Sequence, residues 1–225
     1  MDWNLAKWVE DGGVFMWPIL LCAVIGATIS AERVIFLFLR ASVHAQTFLA
    51  QIQRHVLAGE YESALKLCNA ESAAVLPRVL KAGLLRAGRP ENEVRDALEE
   101  ATLEITPLVQ QRIPYMTTIA NLCTLLGLLG TIQGLILSFH AVAAASAEQR
   151  STALASGIAV AMNATFAGLL VAIPVLSVHA VVAARANRIL DEVDYASARL
   201  VNLLNAVRSE SKGGPPVPPP SGSLE

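Results

Sequence analysis

The chain has 225 residues, of which 54% are hydrophobic and 16% charged, with a mean hydropathy of +0.49 and a formal charge of −2. Soluble domains carry about 25% charged residues, so this composition excludes an ordinary water-soluble enzyme. The near balance of 17 basic and 19 acidic residues excludes the one-sided basic face that nucleic acid requires. What remains is an all-α membrane protein whose surplus Ala, Leu, Val and Ile faces lipid or other apolar helices.

In chain order, residues 1–13 read as an amphipathic N-terminus, with Trp3, Leu5 and Trp8 expected along the outer membrane interface. Met1-Asp2-Trp3-Asn4 lacks the basic start of a cleavable signal, so the first apolar segment is expected to stay as an anchor. That segment, 14–39, runs from Val14 to Leu39 and is interrupted only near its end by Ser30, Glu32 and Arg33. It exceeds the roughly 20 apolar residues that a bilayer requires.

Residues 40–113 read as a cytoplasmic helical domain. Short helices are expected at Ser42–Leu57, Glu60–Asn69 and Ala74–Arg86, separated by Gly59 and the Glu71-Ser72 region. A longer helix starts at Pro90, where Glu91 and Glu93 complement the helix dipole. Its apolar stripe is Val94, Leu98, Ile105 and Leu108, and Pro107 and Pro114 are expected to bend it as it approaches the membrane.

The second and third spans occupy 114–145 and 152–184, joined by a short turn at 146–151 as an antiparallel hairpin. Neither Thr117–Ala145 nor Ala153–Ala184 contains an Asp, Glu, Lys or Arg. A C-terminal helix follows at 185–212, and the Pro/Gly-rich tail 213–225 reads as disordered. Basic residues crowd the segment between spans one and two (Arg40 to Arg112) and the tail beyond Arg185, while Lys7 and Arg150 alone lie on the other side. Lys and Arg favour the cytoplasmic face, which predicts an external N-terminus and a cytoplasmic C-terminus.

The charge-free spans still carry polar groups. Thr117, Asn121, Thr124, Thr131 and Ser138 recur in span two at heptad-like spacing, beside Gly127, Gly130 and Gly134. Span three offers a narrow face of Gly157, Ala161, Thr165, Gly168 and Ala172. Such faces serve either ordinary helix packing or, in an assembly with the faces turned inward, a wet path around a central partner. Threonine does not titrate, so a proton crossing here needs an acid from another chain. His140 and His179 suit hydrogen bonding near a helix end or interface, and Glu32 beside Arg33 suits an interfacial ion pair. Pro174 removes a donor inside span three and is expected to kink it. Cys22, Cys68 and Cys123 lack the spacing of a disulfide framework or a metal site and read as apolar fillers. There is no nucleotide-binding glycine loop, nucleophile elbow or zinc-protease motif, so no metal or cofactor is called for and no covalent chemistry is expected.

Leu126-Gly127-Leu128-Leu129-Gly130-Thr131-Ile132-Gln133-Gly134 resembles the span-two signature of the MotA/TolQ/ExbB proton-channel family. Gly157-Ile158-Ala159, Thr165, Gly168-Leu169 and Ala172-Ile173-Pro174 resemble its span-three signature, and Glu32-Arg33 and Gly59–Leu65 also fit. The resemblance covers about Gly12 to Arg199, and three spans with a large first cytoplasmic segment look like the TolQ/ExbB branch. It implies a bacterial inner-membrane stator subunit of a proton-driven motor. It further implies a homopentamer around a central pore enclosing ExbD/TolR-like single-span subunits. The partner's membrane aspartate would carry the proton past Thr131 and Thr165, and Asn121, Thr124, Gly127, Gly130, Gly134, Ala161, Gly168 and Pro174 would line or pack the pore. Many relatives have glutamate where this chain has Val160, so no acid carries over to span three, and the departure points to a divergent branch such as a gliding-motility motor. The processes open to such a subunit are nutrient import, envelope maintenance and gliding. The rival from another class is a scaffold that assembles an envelope complex without conducting; a solute transporter lacks its inverted repeat and broken helices.

Overall fold

The computed structural model describes residues 12–41, 45–71 and 73–211. Among the described residues seven α-helices follow in order: α1 Met16–Ile35, α2 Ala45–Leu57, α3 Tyr61–Ala70, α4 Val75–Leu85, α5 Glu91–Gln110, α6 Ile113–Ala144 and α7 Arg150–Ser211. No strand occurs among the described residues. The expected outer-interface tryptophans Trp3 and Trp8, with Leu5, and the Pro/Gly-rich stretch 213–220 lie outside the described residues. The chain divides into two compact units, 12–35 with 111–184 and 36–110 with 185–211, and α7 contributes to both. Three stretches are long and apolar enough to cross a membrane: Met16–Leu39, the charge-free part of α6, and α7 before Ala184.

In the first unit α1 packs antiparallel on α6 in a fixed register. Gly26 faces Ile119, the Cys22 and Cys123 side chains lie beside each other, and Phe15 meets Gly130. Each step back along α1 is thus matched by an equal step forward along α6. Met16 and Ile19 then fill the groove between α6 and α7, buried with Ala167 and flanked by Leu126 and Val171.

The second unit is a conventional water-type bundle. Ile52 and Val56 of α2, Val79 and Leu80 of α4, Val94 and Leu98 of α5, and Leu200 and Leu204 of α7 are all buried. Gly83 lets α4 nestle between its neighbours, since a methyl there would lie 2.7 Å from Leu98 and 3.2 Å from Leu200. Gly59 turns α2 into α3 at φ +73, a left-handed conformation that glycine adopts without a Cβ penalty. Arg208 of α7 donates to the Ala87 and Arg89 carbonyls, tying down the α4–α5 turn.

Two local features differ from the sequence reading. The helix expected to bend through Pro107 and Pro114 instead ends at Gln110, and a new helix starts at Ile113. Proline 114 has no N–H to give the Gln110 carbonyl four residues back, so the ladder breaks there. Arg112 takes the left-handed conformation at φ 67, and Pro114 sits in the first turn of α6, where no donor is needed. Pro107 stays inside α5. The second feature is a π-helical turn, Phe36–Arg40, closed by the Ala41 N–H on the Phe36 carbonyl at 2.8 Å. No residue type in Phe-Leu-Phe-Leu-Arg announces it.

Candidate functional site: the polar flank of the α6–α7 hairpin

The seam between α6 and α7 is made of residues with almost no side chain. A methyl on Gly134 would lie 2.8 Å from Ala161 Cβ, one on Gly130 2.5 Å from Ala164 Cβ, and one on Gly168 2.5 Å from the Cys123 carbonyl oxygen. At Gly157 it would run into the Ser138 hydroxyl. Backbone therefore meets backbone along several turns, the small-residue packing expected where no hydrophobic drive exists between helices. Gly127, Gly130, Gly134, Ala161 and Gly168 belong to this seam, and they and Ala172 are buried.

The five heptad-spaced polar residues of span two do not share one environment. Ser138 is buried in the seam and donates to the Gly134 carbonyl at 2.8 Å; Thr117 and Thr131 are half-buried; Asn121 and Thr124 are exposed. A straight α-helix slips about 20° for every seven residues. The heptad-spaced set therefore winds from the open side of α6 into the seam.

Thr131 and Thr165 lie on the same side of the hairpin. At about 100° per residue, the α6 residues that meet α1 (Ile119, Cys123, Leu126) sit on one side of the seam residues Gly127 and Gly134, and Thr131 sits on the other. On α7, Val160, Ala167 and Val171 turn toward α1, and Thr165 turns away from it across the seam. The flank not covered by α1 thus carries both threonines, with Thr124 and Asn121 further round α6. Thr165 is level with Gly127, so the two hydroxyls are about 6 Å apart along the helix axis.

Their hydrogen bonds define what they offer. Thr165 Oγ1 donates to the Gly127 carbonyl at 3.1 Å, linking the two helices, and Thr131 Oγ1 donates to the Leu128 carbonyl of its own helix at 2.6 Å. A hydroxyl has one donor and two lone pairs. With the proton committed to a carbonyl, each threonine presents acceptor lone pairs, suited to a neutral acid or water that donates. Thr124 is committed in the same way, to the Ala120 carbonyl at 3.1 Å.

Pro174 is exposed inside an α7 that continues through it. His140 is exposed near the end of α6, and His179 is half-buried. Glu32 bonds Arg33 at 2.7 Å, as their adjacency suggests, and is also held by Arg112. Arg112 was invisible to sequence reasoning because it lies 80 residues away. Asn163, half-buried in the middle of span three, was also passed over; an amide in a charge-free span was the available signal.

Fold and site together define a class: a multi-pass helical membrane protein whose last two spans form a charge-free, glycine-packed hairpin with one hydroxyl-bearing flank. The chain belongs to the MotA/TolQ/ExbB proton channel family, whose model matches residues 70–195, more than half of the sequence. It is 30% identical to the biopolymer transport protein exbB1 of Vibrio cholerae over 208 residues, covering 89% of this chain and 88% of that protein. A putative biopolymer transport protein, ExbB-like 1 of Synechocystis, is 34% identical over 193 residues, 83% of this chain and 72% of its own. The Tol-Pal system protein TolQ of Haemophilus influenzae is 35% identical over 91 residues, 40% of this chain and 38% of its own. The chain is therefore a membrane subunit of the proton-channel kind.

Proposed function

We propose that this chain is the stator of an ExbB/TolQ-type motor. It assembles as a pentamer in the bacterial inner membrane, with its N-terminus outside and C-terminus inside. The flanks bearing Thr131 and Thr165 surround the single-span helices of an ExbD/TolR-like partner. The partner's membrane carboxyl carries the proton, and force passes through the partner to the envelope in nutrient import, envelope maintenance or gliding.

The observation that carries this reading is the disposition of the hairpin. Apolar α1 covers one side of the seam, and the uncovered side bears hydroxyls whose own protons are already bonded. A protonated aspartic acid donates to such an acceptor, whereas the charged form finds no donor in either threonine. The flank therefore stabilises the neutral acid, the form that crosses a low-dielectric region at least cost. The absence of Asp, Glu, Lys or Arg from both charge-free spans agrees with an acid supplied by another chain.

The test is Thr131→Val with Thr165→Val, reconstituted with the partner subunit and read as proton flux. Intramembrane hydrogen bonds are worth about 0.6 to 1.7 kcal/mol each, so losing two slows flux by roughly tenfold or more. Assembly should persist, because Thr131 bonds only its own helix and the Thr165–Gly127 bond is one contact in a seam otherwise held by glycine and alanine packing. Undiminished flux with assembly intact would overturn the role of the two threonines, and a wild-type complex that assembles but passes no protons would instead establish the non-conducting scaffold.

A further inference from the structure

The second unit holds a cleft of about 620 Å³ between the first turn of α2 and α7 just beyond Ala184. Gln53 of α2 accepts from Arg199 of α7 at 3.0 Å, while Gln46 and Thr47 line the cleft beside Arg188 and Glu192. The two helices therefore run parallel, and the N-terminus of α2 opens onto the cleft.

Its charged groups are ordered along α7. Arg185 and Arg188 come first, directly after the charge-free span, and Asp191 and Glu192 follow about one to two turns further from it. The Arg185 guanidinium lies over the Phe38 ring at 5.9 Å, which positions it without consuming its outer N–H donors, and its Nε is buried with no hydrogen-bond partner. Arg188 pairs with Glu192 at 3.2 Å, an exposed contact that exchanges readily for a ligand. The first turn of α2 contains no acid, so no side-chain charge there offsets the positive end of its helix dipole.

We propose that this cleft binds the headgroup of phosphatidylethanolamine. Its phosphate sits between Arg185, Arg188 and the start of α2, and its ammonium on Asp191 and Glu192. The order of charges along α7 matches the order in which that lipid presents them on leaving the membrane: phosphate first, ammonium beyond. A glycerol headgroup offers the carboxylates hydroxyl donors but no positive charge, and a choline headgroup offers charge but no N–H.

The full-length protein is extracted from vesicles of equal parts phosphatidylethanolamine, phosphatidylglycerol and phosphatidylcholine, and the retained lipid is read by mass spectrometry. Wild type should retain phosphatidylethanolamine in excess. R185Q with R188Q should lower that retention about tenfold, the scale of a lost charge-assisted contact. D191N with E192Q should keep a phospholipid bound but turn the preference to phosphatidylglycerol, a reversal that a folding defect would not produce. Equal retention of the three lipids, a wild-type preference for phosphatidylglycerol, or retention indifferent to the arginines would overturn the proposal. So would binding of soluble phosphorylethanolamine by a protein that retains no phospholipid, because the occupant would then be a free metabolite.

Discussion

The two units bury opposite kinds of residue. The membrane-type unit hides Gly127, Gly130, Gly134, Ala161, Ala164 and Ala167 and turns its bulk outward: Trp17, Leu21, Leu125, Phe139 and Met162 are all more than half exposed. The bundle of the second unit hides Ile52, Leu80, Leu98 and Leu200 and turns charge outward, with Arg78–Glu104, Arg86–Glu100 and Arg95–Glu91 pairs on its surface. In water, burying apolar area drives association at about 25 cal/mol per Å². In lipid a leucine gains nothing by meeting another leucine, so helices associate through close backbone approach and polar contacts. One chain thus obeys two solvents, and the division falls where the charge-free stretches end.

That contrast predicts that the units break in opposite ways. Leu80→Ala, which removes volume from a fully buried site, should cost the bundle about 2 to 5 kcal/mol. Thermal unfolding in detergent, followed by circular dichroism, would read it. Gly134→Leu adds volume where Ala161 stands 2.8 Å from the added carbon, and should cost the hairpin about 1 to 3 kcal/mol. Equal tolerance of added volume in both units would remove the distinction. A smaller effect is expected at Arg112→Gln: Glu32 keeps Arg33, and the partners are 37% and 47% exposed, so no more than about 0.5 kcal/mol is at stake. The smallest at neutral pH is pH-dependent and belongs to the bundle, because it emerges only above pH 9. Burial pushes the Cys68 thiol from its ordinary 9.0 up to about 11. The folded state therefore holds the proton more tightly than the unfolded one. Its contribution is fully present below pH 9 and is lost as pH rises toward 11, with maleimide labelling of native Cys68 correspondingly slow at pH 8.

Much of this was legible in the sequence. Stretches free of Asp, Glu, Lys and Arg mark spans two and three because a bilayer penalises charge. Glycine and alanine at three- and four-residue steps mark the seam because only they permit close approach. The division of the polar residues was not legible, because a heptad list ignores the slow drift of a real helix, which buries Ser138 and leaves Asn121 exposed. Nor was the placement of α1. The Cys22–Cys123 contact and the Phe15–Gly130 contact depend on tertiary register, and α1 determines which flank of the hairpin stays open. The break at Gln110 followed from Pro114, but whether a proline bends a helix or starts a new one is decided by the residues before it, and Arg112 accepts a left-handed conformation.

The central claim is that the uncovered hydroxyl flank faces a carboxyl brought by another polypeptide. A cryo-electron microscopy map of the assembled complex tests it most directly. The expected result is a foreign helix on the axis with an acidic side chain within hydrogen-bond distance of Thr131 or Thr165. Acyl chains packed against both threonines, around an axis with no such helix, would contradict it.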